Sequence, residues 1–309
     1  MKNNKNILLL GSRGFVGNNL KKIFLKSKFN IFDPKKNILN LKNKRKINLF
    51  LKKNKITHII NCAGKVGGIL DNSLNQIEYY RENNEINYNL ISSSYEEGVK
   101  NFLNLSSSCM YPSNFNVKMN EQKLMSGNLE PTNLGYAMAK LAAANYIKII
   151  RDKFKYNYSN VIPCNLYGPN DNFNQNKSHL IASIIQKVSY AKKNRIDNID
   201  VWGDGTPRRE FLYIDDLTKF IFRAISKDYL LPVFINIGFG KDYSVKQYYK
   251  KVLSAYNYKA RLVYNDNKPN GVKRKLLDIS LAKKKFNYNP NTSLEEGLKN
   301  TIKYYENSI

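Results

Sequence analysis

The sequence predicts an α/β protein: a Rossmann-type, doubly wound parallel sheet with a smaller C-terminal lobe. Three observations carry this. The apolar run Ile7-Leu8-Leu9-Leu10 ends in glycine, as does a parallel strand buried on both faces. Glycines then recur at 11, 14 and 17, where strand gives way to helix. Strand-like and helix-like segments alternate from there to residue 169.

The elements follow in order. Phe15, Val16, Leu20, Ile23, Phe24 and Leu25 place a helix over residues 15–28. Lys42 to Lys55 is rich in lysine, but Ile47 and Leu51 sit at helical spacing, so the segment reads as a helix with a solvated face. Ile56 to Asn61 and Asn101 to Leu105 read as strands, and the second runs into Ser106-Ser107-Ser108-Cys109. A helix is expected over 134–151 and a strand from Ser159 to Leu166, ended by Tyr167-Gly168-Pro169. Phe211 to Leu217 leads into a helix with Asp215 or Asp216 as its N-cap. The expected organisation is a dinucleotide-binding domain over 1–169, with 211–240 returning to it, and a smaller second lobe formed mainly by 170–309.

The 309 residues carry 51 Lys and Arg against 24 Asp and Glu, a formal net charge of +27. Such a charge suits nucleic acid. However, about 45 asparagines accompany the lysines, and the cations are spread along the chain. That pattern is a compositional bias on solvated faces, and no nucleic-acid partner is expected. A 42% hydrophobic content excludes a disordered chain. No apolar run approaches the ~18 residues of a membrane helix, and the scattered Cys62, Cys109 and Cys164 form no disulfide framework. A cytoplasmic protein without membrane association is expected.

Gly11-Ser12-Arg13-Gly14-Phe15-Val16-Gly17 forms a GxxGxxG turn. Its glycines permit a tight bend and let a pyrophosphate approach free N–H groups at a helix start; the plainer alternative is a turn that needs small residues for packing. Asp33 could receive a ribose 2′-hydroxyl and favour NAD, whereas Arg13 and Lys36 could hold a 2′-phosphate. The cations lean the balance toward NADP without closing the question.

Tyr136-Ala137-Met138-Ala139-Lys140 places a phenol and an ammonium at i and i+4 on one helix face, with Ser107 29 residues upstream. The ammonium is expected to lower the phenol's pKa and make it a usable acid, with Ser107 hydrogen-bonding the same substrate oxygen. Tyr264 and Lys268 match the spacing too, without a dinucleotide turn to serve. Of the two histidines, His58 lies in an apolar strand and reads as structural. His179 follows a polar loop and reads as a site residue or a surface one. Cys109 by default is a small buried core residue.

Together these motifs resemble the GDP-L-fucose synthase family, within the extended short-chain dehydrogenase/reductases. The resemblance runs through Lys65-Val66-Gly67-Gly68-Ile69, Ser107 to Pro112, Leu129-Glu130-Pro131-Thr132-Asn133, Asn165 to Pro169, Ser178-His179, Val201-Trp202-Gly203, Arg209-Glu210-Phe211-Leu212 and Lys268-Pro269-Asn270-Gly271. It implies NADP(H) as cofactor, a GDP-linked 4-keto-6-deoxy sugar as substrate, epimerisation at C3 and C5, reduction at C4, and a homodimer. A GDP-heptose or other nucleotide sugar is the alternative substrate.

By the same resemblance Cys109 is the epimerisation base and His179 the acid, with Ser107, Tyr136 and Lys140 completing the catalytic group. Leu105, Ser106, Ser107, Ser108, Lys140, Pro163, Cys164, Asn165, Leu166 and His179 join residues 11–17 and Lys36 around the cofactor. Lys187, Trp202, Arg209, Asn270 and Lys275 fall toward the GDP-sugar, although Trp202 alone would read as a core residue. Ser12, Lys36, Lys187 and Asn270 depart from the residues usual in the family.

Overall fold

The computed structural model describes residues 5–113, 117–174, 178–265 and 272–308. Asn270 and Lys268 lie outside the described residues. Strand β1 (Asn6–Leu10) leads through the glycine turn into α1 (Phe15–Phe24), followed by β2 (Asn30–Phe32), α2 (Lys44–Lys53) and β3 (His58–Asn61). A short α3 (Ile69–Leu74) precedes the long α4 (Gln76–Glu96), β4 (Asn101–Leu105), α5 (Leu134–Phe154) and β5 (Asn157–Pro163). Next come β6 (Asn165–Tyr167), α6 (Leu180–Lys193), β7 (Asn198–Trp202), β8 (Arg208–Tyr213), α7 (Ile214–Ser226) and β9 (Phe234–Ile237). The chain closes with β10 (Asp242–Ser244), α8 (Val245–Ala255), β11 (Arg261–Asn265), β12 (Arg274–Lys275), α9 (Ser280–Phe286) and α10 (Leu294–Glu306).

Six strands form one parallel sheet in the order β2-β1-β3-β4-β5-β9. Successive connections leave β1 in opposite directions, so the crevice at the carboxyl ends of β1 and β3 is where such a sheet admits a ligand. Both faces are covered: α1 packs with α7, and α4 with α5 and α2. Ile7, Leu8, Leu9, Ile59, Ile60, Val161 and Ile162 are wholly or almost wholly buried, which explains their continuous apolar runs. The lysine-rich segment is α2, with Ile47 and Leu51 as its buried face.

A row of amides crosses this apolar sheet. Asn61 Nδ2 donates to Asn104 Oδ1 at 3.0 Å, and Asn104 Nδ2 donates to Asn160 Oδ1 at 3.0 Å. These residues are paired neighbours on β3, β4 and β5. All three are buried, and each amide partly satisfies the next.

The smaller lobe is built on β8, which pairs with β6 and β12 in parallel and with β10 antiparallel, while β7 and β11 form a separate parallel pair. Its core gathers Tyr167, Ile181, Ile184, Ile185, Tyr248 and Val252.

Two local expectations are corrected. The stretch expected as one strand from Ser159 to Leu166 is two, β5 in the large sheet and β6 in the small one. The break falls at Cys164, just after Pro163, which has no N–H to extend a ladder. Helix α7 starts at Ile214 with Tyr213 as N-cap, so Asp215 and Asp216 occupy its first turn and do not cap it. Asp216 accepts from the backbone N–H of Asn291 and Thr292, each at 3.1 Å, which ties α7 to the C-terminal segment. Among the described residues, no helix is long and apolar enough to cross a membrane.

Candidate active site

The glycine turn is shaped by close approach. Gly11 has φ +73°, and a Cβ there would lie 2.5 Å from the carbonyl oxygen of Cys62. A Cβ on Gly17 would lie 2.1 Å from the carbonyl oxygen of Gly11. These two positions therefore set how tightly α1 sits on β1 and β3. Gly14 differs: a Cβ there meets only the Gly11 carbonyl oxygen, at 3.4 Å, and otherwise faces open space. Gly14 is the N-cap of α1 and provides no side-chain cap, leaving the helix's first N–H groups for an anion. The cradle fits the pyrophosphate of a dinucleotide. Ser12 is buried, Arg13 is exposed, and Phe15 and Val16 pack against the core. Lys36 is exposed beyond β2.

Leu105 ends β4, and Ser106 turns inward to donate from Oγ to Asn160 Oδ1 at 3.1 Å. Ser107 caps a single 3-10 turn, Ser108–Met110, by accepting the N–H of Cys109 at 3.3 Å. Pro163 ends β5, while Cys164, Asn165 and Leu166 lead into β6. Ser108, Cys164, Asn165, Glu210 and Lys275 line one small recess, where the carboxyl edge of the large sheet meets the small lobe. Another depression, lined by His58, Asn101 and Asp228, opens at the amino ends of β3 and β4, away from this edge. His58 there hydrogen-bonds Thr57 Oγ1 at 2.9 Å, and burial lowers its pKa to about 4, in keeping with a structural role.

Tyr136 sits in the first turn of α5, half-buried, with the Tyr79 ring edge-on at 6.2 Å. The Ser107 hydroxyl hydrogen-bonds its phenol, and Cys109 lies within electrostatic reach. Lys140 is buried on the same face, its Nζ 5.8 Å from the centre of the Tyr136 ring. The structure departs from the expected activation. Burial pushes the phenol's pKa up, Cys109 adds to the rise, and the Ser107 hydrogen bond opposes it. Burial is the main cause, and the Lys140 ammonium does not offset it: its Nζ donates to the Leu105 carbonyl at 2.8 Å, not to the phenol.

Cys109 is buried. Desolvation raises its thiol's pKa, whereas the Ser107 hydroxyl and the Lys275 and Lys140 ammonium groups pull it back toward thiolate. His179 is the N-cap residue of α6 and makes no side-chain cap. It is exposed, yet the surrounding protein desolvates its ring and lowers its pKa. Ser107, Cys109, Tyr136 and Lys140 thus form one group, and among the described residues no hydrogen bond or ion pair joins His179 to Ser107, Cys109 or Tyr136.

On the small lobe, Arg209 and Lys275 are directly paired across β8 and β12. Burial lowers both pKa values, and Glu130 is the acidic group facing the two of them. Lys187 donates to the Asp200 carbonyl at 2.8 Å and lies 5.7 Å over the Trp202 ring. Trp202 is 49% exposed, so it is not the core residue its type suggests.

Sequence reasoning passed over Tyr79, Glu130 and Cys62. Only Glu130 lay within a recognisable block. Tyr79 is one of 22 tyrosines and gains its place only when α4 packs on α5.

Residues 7–238 match the model of the NAD dependent epimerase/dehydratase family. The chain is 38% identical to the GDP-L-colitose synthase of Yersinia pseudotuberculosis, over 97% of this chain and 98% of that one. It is 36% identical to the GDP-L-fucose synthase of Azorhizobium caulinodans, over 97% and 96%. Among solved structures, a GDP-mannoheptose C4 reductase from Campylobacter jejuni with NADP bound superposes with a TM-score of 0.88 at 25% identity, covering 99% of each chain.

Proposed function

The chain belongs to the NAD dependent epimerase/dehydratase family, and on that premise we propose that it epimerises and reduces a GDP-4-keto-6-deoxy-hexose with NADPH, forming GDP-L-fucose. The observation that supports this most is the grouping of Ser107, Cys109 and Tyr136 beside Lys140, with the Arg209–Lys275 pair nearby across the recess.

Protons at C3 and C5 of such a sugar lie α to the C4 ketone. Removing one leaves an enolate whose charge rests on the C4 oxygen. Ser107 and Tyr136 donate hydrogen bonds to that oxygen and stabilise it. The Cys109 thiolate takes the proton, and His179 returns one to the opposite face. NADPH, when bound, supplies the hydride for C4. Tyr136 then gives its proton to the resulting alkoxide, and the buried Lys140 ammonium stabilises the phenolate left behind. Residues 11–17, Lys36, 105–108, 163–166, Lys140 and His179 hold the cofactor in this reading. Lys187, Trp202, Arg209 and Lys275 hold the GDP, the two strand-paired cations meeting its diphosphate.

A homodimer and a cytoplasmic setting belong to the same proposal. Ile77, Tyr80, Tyr88 and Ile149, exposed on the packed helices α4 and α5, support the first. The free Cys62, Cys109 and Cys164 support the second.

The identity to a GDP-L-colitose synthase favours a second reading, in which the accepted sugar lacks the 3-hydroxyl and only C5 is inverted. Incubation with NADPH and either GDP-4-keto-6-deoxymannose or its 3-deoxy analogue, with products read by NMR, separates the two. GDP-L-fucose from the first substrate supports the main reading. Turnover of the 3-deoxy analogue or of a GDP-4-keto-heptose alone overturns it.

A further inference from the structure

Asp33 follows β2, 22 residues after Gly11. In a dinucleotide fold an acid here accepts hydrogen bonds from the adenosine ribose and repels a 2′-phosphate, so it selects NAD. This conflicts with the NADPH-dependent reading above, unless something disarms the carboxylate.

The structure shows what does. Lys21, on α1, places its Nζ 2.6 Å from Asp33 Oδ2. The side chains are 38% and 27% exposed, so the pair is partly sheltered and less screened than a free surface pair. Asp33 has no other ion-pair partner among the described residues. Helix α1 thus presents its N-terminus at the glycine turn and, two turns on, a cation that occupies the one acid positioned to favour NAD. Arg13 and Lys36, both exposed, remain as cations with no carboxylate bound to them among the described residues.

We propose that Lys21 is a specificity-determining residue: by holding Asp33 in an ion pair, it removes the carboxylate from ribose recognition and allows a 2′-phosphate to bind where an acid would exclude it. The inference rests on the NADPH-dependent reading. Lys21 acts through Asp33, not by touching the phosphate itself.

Isothermal titration of the full chain with NADPH, NADH and 2′,5′-ADP tests this in the wild type, Lys21→Met, Asp33→Asn and the double variant. Lys21→Met is expected to weaken NADPH and 2′,5′-ADP by about tenfold while leaving NADH equal or tighter, a single charge freed at partial exposure being worth about that factor. In the Asp33→Asn background the same change is expected to cost less than about twofold. Unchanged binding in Lys21→Met overturns the inference. So does an equal loss in both backgrounds, which would make Lys21 a phosphate ligand. Wild-type protein that folds but binds no NADPH overturns the cofactor reading itself, a different failure.

Discussion

Lys140 Nζ lies 2.8 Å from the Leu105 carbonyl, so the ammonium one helical turn from Tyr136 is anchored to the end of the strand that leads to Ser107. One hydrogen bond thus ties α5 to the end of β4. Replacing the lysine with methionine removes a hydrogen bond and a desolvation cost together. Lys140→Met is therefore expected to shift stability by less than about 2 kcal/mol while reduction falls at least about a hundredfold. Urea unfolding and NADPH oxidation read the two effects. Lost stability with full turnover in the remaining folded protein would make Lys140 a strut only.

Tyr136→Phe keeps the ring that meets Tyr79 edge-on and removes only the hydroxyl. The melting temperature is expected to hold, while C4 reduction drops by about 10²–10⁴-fold for want of the proton donor. Reduction above a tenth of the wild-type rate would move the acid elsewhere.

The Cys109 pKa is raised and the His179 pKa lowered, so at neutral pH the thiol is mostly protonated and the imidazole mostly neutral. Thiolate then increases as pH rises, while imidazolium decreases. Deuterium exchange returned by Cys109 to its own face should climb with pH, whereas inversion, which needs both forms, should stay level between the two pKa values. Cys109→Ser should abolish both and spare part of the C4 reduction. Persistent exchange at C3 and C5 in Cys109→Ser, followed by NMR in D₂O, would exclude this base.

Gly14 and Gly17 should respond differently to alanine. At Gly17 the added Cβ meets the Gly11 carbonyl at 2.1 Å, so the fold itself should lose at least about 2 kcal/mol. At Gly14 the Cβ has room, but it enters the space left for phosphate. Gly14→Ala should melt like the wild type and bind NADPH at least about tenfold more weakly. Calorimetry and titration read both, and equal melting of the two variants would contradict the packing argument.

Glu210 is buried between strands and accepts the N–H of Gly240 at 2.6 Å and of Leu277 at 2.8 Å. Desolvation nonetheless raises its pKa from 4.5 to about 7. A raised folded-state pKa means the folded chain holds a proton that the unfolded chain releases, so stability falls as pH rises between the two values. The stability of the wild type relative to Glu210→Gln should therefore decline from about pH 4.5 to about pH 7 and level off above. A relative stability that rises over this window in denaturant titrations would reverse the sign.

What the sequence disclosed was local. The glycine turn, Ser107 at a strand end and the Tyr136–Lys140 spacing each declare themselves within a few residues, because a strand-to-helix turn and a helix face are short-range patterns. The direction of the Lys140 ammonium was not legible, since it depends on where β4 stops. Nor was the split at Cys164, where consecutive strand-like residues pass from one sheet to another. Asp33 was visible as an acid after β2, but its partner was one of 51 cations until α1 was placed beside it. Glu130 and Tyr79 needed the two lobes and two helices to close upon each other.

The buried amides of Asn61, Asn104 and Asn160 act as indexing pins. Hydrocarbon side chains would tolerate a strand sliding by a step, but a slipped strand would strand these donors and acceptors in oil. The alignment they fix is that of the strand ends, where Gly11, Ser107 and Pro163 stand. Being uncharged, the pins hold at any pH or salt concentration at which the enzyme folds. In a chain so rich in asparagine, three of them serve as the gauge against which the reaction site is set.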